Sequence, residues 1–243
     1  MDEFESLMKG LKPKLFYSIP NFQNPTGNTY DLVHRTALAS ANEGSETIWI
    51  EDNPYGEIYF EKQNLPDFFS LLGKGVVLLG SFSKIISPGM RMGWAVGERD
   101  VIKKMAIAKQ AADLHSNSLM QRIVYQFLVD NPLEDHLNDI RTFYKGQADF
   151  MVRCMQEHFP KSVTWIQPKG GMFIWVALPE SIAAAALLKK AILQNVLFVP
   201  GENFYFDGTG GRNCLRINFS NPSKEEIKKG IMVLGAAIQE MME

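Results

Sequence analysis

Two serines and a lysine stand together in Ser81-Phe82-Ser83-Lys84, and Pro88-Gly89-Met90-Arg91 follows closely. Two hydroxyls and a guanidinium could hold a phosphate while the amine bonds to an aldehyde. The apolar run Val76-Val77-Leu78-Leu79 just before them reads as a short buried strand. Open α/β sheets bind their ligands at such strand ends. Partial shielding from water there is what makes a lysine amine a usable nucleophile. The plain alternative is a solvated loop lysine, the fate of most lysines.

The elements that would position these groups alternate. Residues 14–19 read as a strand running into the turn-rich Pro20-Asn21-Phe22-Gln23-Asn24-Pro25-Thr26-Gly27. A helix over 30–42 follows, then a strand at 47–50 that ends at Glu51-Asp52-Asn53-Pro54-Tyr55. Strands at 76–80 and 92–96 come next, with helical stretches across roughly 100–130. This succession predicts an α/β fold with a mainly parallel sheet. Pro132 marks the first turn of a long helix reaching Phe159, on the order of 40 Å at 1.5 Å per residue. Beyond it, strands near 163–166, 172–178 and 213–219 and helices near 181–195 and 223–242 predict a smaller α+β domain. The expected division is 1–145 and 146–243.

Each polar candidate follows an apolar strand: Asn24 and Gly27 the first, Asp52 and Tyr55 the second, Lys84 and Arg91 the third. In a parallel sheet these three ends share one rim. Singly, each has an ordinary structural role: a tight turn at 24–27, an Asx-turn or helix cap at Asp52, a core phenol at Tyr55. Jointly they suit pyridoxal 5'-phosphate. Lys84 can bond to its aldehyde, Asp52 can keep its ring nitrogen protonated, and Asn24 and Tyr55 can donate to its phenolic oxygen. Ser81, Ser83 and Arg91 can hold its phosphate, and a freed Lys84 can move a substrate α-proton.

These motifs, together with Ala108-Lys109-Gln110-Ala111-Ala112-Asp113-Leu114-His115, resemble the class I/II aminotransferases of fold type I, nearest the branch of 2-aminoadipate and kynurenine aminotransferases. The resemblance runs from Leu15 to the C-terminus. It implies that Lys84 is the cofactor lysine, Asp52 the partner of the pyridine nitrogen, and Asn24 and Tyr55 the phenolate partners. Ser81 and Arg91 match phosphate ligands. In Asn213-Cys214-Leu215-Arg216-Ile217-Asn218-Phe219-Ser220, period-2 alternation puts Arg216 opposite the apolar face. Alternation alone describes a solvated arginine. The resemblance implies instead that Arg216 grips the substrate α-carboxylate, which its planar fork matches. Gly208-Thr209-Gly210-Gly211 precedes a strand rather than a helix, so it is a substrate-side loop or hairpin and not a nucleotide loop. Gly170-Gly171-Met172-Phe173-Ile174-Trp175 resembles the family's entry into a small-domain strand.

Composition narrows the field. With 25 basic and 27 acidic residues, nothing attracts nucleic acid, and no apolar run approaches the roughly 20 residues of a spanning helix. Cys154 and Cys214 lack close partners in sequence, which fits a reducing cytoplasm, and the four histidines lack metal-ligand spacing, so no metal is expected. Family members carry a segment before the strand at 14–19, including a phosphate-binding loop and an aromatic that stacks on the ring. Here Met1 to Lys12, read as a short helix, precedes that strand. The expectation is the C-terminal portion of an aminotransferase moving an amino group between an α-amino acid and a 2-oxo acid. A site lacking that segment predicts weak cofactor binding and impaired turnover, and exposed sheet faces predict a homodimer or other self-association. The alternative is the aminotransferase-like effector-binding domain of a GntR/MocR-type transcription regulator, which shares the lysine motif.

Overall fold

The computed structural model describes residues 2–243, which fall into two compact units. Unit 1 comprises residues up to Asn21, Thr29–Ile58 and Lys62–Ile140. Unit 2 comprises Phe22–Asn28, Tyr59–Glu61 and Arg141–Glu243.

In unit 1, helix α1 (Asp2–Leu11) precedes strand β1 (Leu15–Ser18). Helix α2 (Leu32–Asn42) starts where the Asp31 carboxylate accepts from His34 N–H, a side-chain cap. Strand β2 (Ile48–Asp52) follows, then helix α3 (Phe68–Leu72), strand β3 (Val76–Ser81) and strand β4 (Gly93–Gly97). The sheet order is β1-β2-β3-β4, with β1, β2 and β3 parallel and β4 antiparallel to β3. Helices α4 (Arg99–Asp113) and α5 (Ser118–Asp130) come next, and α6 (Leu133–His158) contains the break between the units.

Alternation along β2 decides which side of this sheet is core. Trp49 and Glu51 are fully buried on one side, whereas Ile50 and Asp52 face the other. On the core side Trp49 stacks on Phe68 at 4.4 Å, packs against Phe16 and donates its indole N–H to Ser18 Oγ at 2.8 Å. A buried arginine, Arg35, ties the segments around this core. It donates to the Tyr30 carbonyl (2.8 Å), the Pro66 carbonyl (2.9 Å), the Pro20 carbonyl (3.2 Å) and Asn21 Oδ1 (2.5 Å).

In unit 2, strands β5 (Thr164–Trp165), β6 (Phe173–Ala177), β7 (Val199–Pro200) and β8 (Cys214–Asn218) form an antiparallel sheet of order β5-β6-β8-β7. Its core joins Ile174, Val176, Leu215, Ile217 and Phe219 to Met151 and Met155 of α6. Helices α7 (Ala184–Ile192) and α8 (Lys224–Met242) complete it, with Leu187, Ile231, Leu234 and Ile238 buried. Ser223 and Glu226 open α8 with a reciprocal capping box. Short elements α3 and β7 were absent from the sequence reading.

Candidate active site

Register in unit 1 assigns the candidate residues to faces. Tyr17 of β1 lies opposite Ile50 of β2, and Asp52 lies opposite Leu79 of β3. Because side chains alternate, Tyr17, Asp52 and Ser81 project from the same face, away from the Trp49 core. Asp52 and Ser81 end their parallel strands, and Lys84 stands three residues beyond Ser81. The carboxylate and the hydroxyl thus reach one sheet face at the carboxyl ends of neighbouring strands.

Tyr17 was missed by the sequence reading. Its hydroxyl donates to Asp52 Oδ2 at 2.5 Å, a charge-assisted hydrogen bond. Burial raises the phenol well above its ordinary range, and the hydrogen bond and the charge of Asp52 raise it further, with a contribution from Tyr55. Beside this pair, Asn53 Oδ1 accepts from Asn21 Nδ2 at 2.9 Å, which extends the Arg35 network to the end of β2. Tyr55 is buried, and its carbonyl accepts from Ile58 N–H in a turn.

The segment after β3 is a braced turn. Ser81 Oγ accepts from Ser83 N–H at 3.1 Å, and the Phe82 carbonyl accepts from the N–H groups of Ile86 and Ser87. Phe82 N–H donates to the Met92 carbonyl at 3.0 Å. His136 Nε2 lies 2.8 Å from the Ile85 carbonyl, which makes Nε2 the protonated nitrogen. Lys84 is half-buried. Arg91 is exposed, has φ 52°, and donates to the Pro88 carbonyl at 3.3 Å. Ahead of the turn, a Cβ on Gly80 would lie 2.1 Å from the Trp94 ring, and one on Gly93 would lie 2.9 Å from the Gly80 carbonyl.

Asn24 and Arg216 belong to unit 2 and meet there. Arg216 Nη1 donates to Asn24 Oδ1 at 2.6 Å. The guanidinium carbon lies 4.2 Å from the Phe173 ring centroid and 5.2 Å from that of Phe204, so two aromatic faces hold it. Phe204 itself was outside the sequence reading. Asn24 is held by a closed turn in which Gly27 N–H donates to the Gln23 carbonyl at 2.6 Å and Gln23 N–H to the Asn28 carbonyl at 2.8 Å. Gly27 sits at φ 73°, which L side chains rarely adopt, and the Asn24–Pro25 bond is cis.

The donor set suits the predicted cofactor. A carboxylate can pair with a protonated ring nitrogen, hydroxyls and an arginine with a phosphate, and a lysine amine with an aldehyde. Among the described residues no group of three or more histidine, cysteine, aspartate or glutamate side chains could hold a metal ion, and no helix is long and apolar enough to cross a membrane.

Residues 1–234 match the family described as aminotransferase class I and II. Over the whole chain, 37% of residues are identical to 2-aminoadipate transaminase of Thermus thermophilus, covering 62% of that protein. The HTH-type transcriptional regulator YdfD of Bacillus subtilis is 30% identical over 93% of the chain and 47% of its own length. Among solved structures, LysN, the α-aminoadipate aminotransferase of Thermus thermophilus complexed with N-(5'-phosphopyridoxyl)-L-leucine, superposes with a TM-score of 0.95 at 37% identity, over 99% of this chain and 62% of that one. The chain thus spans about three-fifths of the length of the aminotransferases it matches.

Proposed function

Because the chain belongs to the class I and II aminotransferases, we propose that it is part of a fold type I enzyme that uses pyridoxal phosphate to move an amino group between an α-amino acid and a 2-oxo acid. The observation that carries this reading is the shared sheet face of Asp52 and Ser81, with Lys84 on the turn just beyond. When bound, the cofactor supplies an electron-withdrawing ring conjugated to an aldehyde. Lys84 would hold the aldehyde carbon covalently, and Asp52 the ring nitrogen. Asn24 and Tyr55 would hold the phenolic oxygen, and Ser81, Ser83 and Arg91 the phosphate. When not bonded to the aldehyde, the Lys84 amine would accept the substrate α-proton as base and, once protonated, donate a proton as acid. Arg216, steadied by Phe173 and Phe204, receives the substrate α-carboxylate in its planar fork.

The substrates follow the relatives: aminoadipate-like or aromatic amino acids and their 2-oxo acids. A second copy of the chain is the expected partner. Unit 1 leaves Ile107, Leu114, Leu119, Tyr125 and Val129 exposed on and beside α4 and α5, apolar surface that association would cover. A cytoplasmic location accords with two free cysteines. The match to a transcriptional regulator supports a second reading, the effector-binding domain of such a regulator. A helix-turn-helix module encoded upstream in the same reading frame would select it.

The deciding experiment adds pyridoxal phosphate, reduces with borohydride and maps the modified peptide. Label at Lys84 is expected. Label elsewhere, or none at saturating cofactor, refutes the proposal. Lys84→Ala should abolish the label while leaving the circular dichroism unchanged.

A further inference from the structure

The hydrogen bond between Tyr17 and Asp52 has no part in the scheme above, yet it engages the carboxylate on which that scheme depends. Tyr17 is 55% exposed, so close packing does not press it against Asp52. What joins them is register: the side chains lie on one face of adjacent parallel strands, one step out of line, and the phenol spans the offset at 2.5 Å.

We propose that Tyr17 is a positioning residue for Asp52, its O–H engaging Oδ2 so that the carboxylate plane is fixed and Oδ1 is presented to a protonated ring nitrogen. The inference rests on the cofactor reading and assigns a role within that site. An aspartate χ2 is a broad torsion with weak intrinsic preference, so an unheld carboxylate at a sheet end turns freely toward water. One donor on one oxygen removes that freedom. Tyr55, the other titratable group acting on the pair, opposes ionisation of Tyr17 and so keeps it a donor.

Two measurements test this. The first needs no cofactor: NMR of ¹³C-labelled tyrosine, with the Tyr17 signal identified by its loss in Tyr17→Phe. Tyr17 should titrate above the exposed tyrosines, and Asp52→Asn should bring it down toward them. The second compares dissociation constants for pyridoxal phosphate and for an analogue whose ring nitrogen is replaced by C–H. The unchanged chain should prefer the nitrogen compound. Tyr17→Phe should cut that preference about tenfold, the value of a hydrogen bond to a charged group, and Asp52→Asn should abolish it. A Tyr17 that titrates with the exposed tyrosines overturns the proposal, as does an unchanged preference in Tyr17→Phe. If borohydride traps neither compound on Lys84, the cofactor reading falls and carries the role of Tyr17 toward the ring with it, whereas the tyrosine titration still judges the pair itself.

Discussion

Glu51 should make the folded chain lose stability as pH rises toward neutrality. Its side chain has no exposed surface, Oε2 accepts from Phe68 N–H at 2.7 Å, and Oε1 is buried without a hydrogen-bond partner. Burial pushes the carboxyl up from 4.5 to about 7. The Phe68 hydrogen bond and the nearby Arg35 pull it down, and Asp67 adds to the rise. Arg35 cannot cancel the burial cost by direct pairing, because its donors are directed at three carbonyls and Asn21. Folding therefore favours the protonated acid. Between about pH 4.5 and 7 the folded state holds a proton that the unfolded chain releases, so stability is full below this window and is lost through it. Linkage makes the loss about 3 kcal/mol, complete above pH 7. Glu51→Gln keeps an oxygen for Phe68 N–H and removes the titration. Urea unfolding at pH 5, 6, 7 and 8 should show the unchanged chain weakening relative to the variant, with the glutamine form ahead by about 2–3 kcal/mol at pH 8. Parallel stability profiles would refute the assignment of Glu51 as a buried neutral acid.

Other perturbations separate framework from chemistry. Arg35→Met strips donors from the Pro20, Tyr30 and Pro66 carbonyls and from Asn21, and urea unfolding should record a loss of about 3–5 kcal/mol. Arg216→Lys replaces a planar fork with a point charge between Phe173 and Phe204. In single-turnover reaction of the cofactor-loaded chain, it should raise the amino-acid concentration at half-maximal rate at least about tenfold with little change in Lys84 labelling.

How much could be read in advance depended on length and pattern. Apolar runs at 47–50 and 76–80 and alternation at 214–218 announced β2, β3 and β8, and with them the sheet ends that hold the proposed cofactor residues. Helix α3 escaped because five residues provide too little periodicity, and β7 because it is two residues long and one is proline. The reversal of β4 was within reach. A parallel return needs a crossover of a dozen or more residues, usually helical, and the segment between Ser81 and Gly93 is shorter and holds the lysine turn. The Tyr17 bond was not: its partner is 35 residues away, and only strand register shows that both side chains share a face. Phe204 was hidden for a similar reason, since it lies in a short turn and its ring is significant only beside Arg216 of β8.

Trp94 lies over Gly80 where a methyl group would sit, and Gly93 closes on the Gly80 carbonyl. The last rung, Phe82 N–H to the Met92 carbonyl, seals the base of the turn, and His136 grips it farther out at Ile85. The lysine therefore hangs from a tether clipped at both places, and its reach is limited to the swing of its own four methylenes. An engineer wishing to move that amine should redesign residues 85–91, since a side chain at position 80 would first have to displace the Trp94 ring.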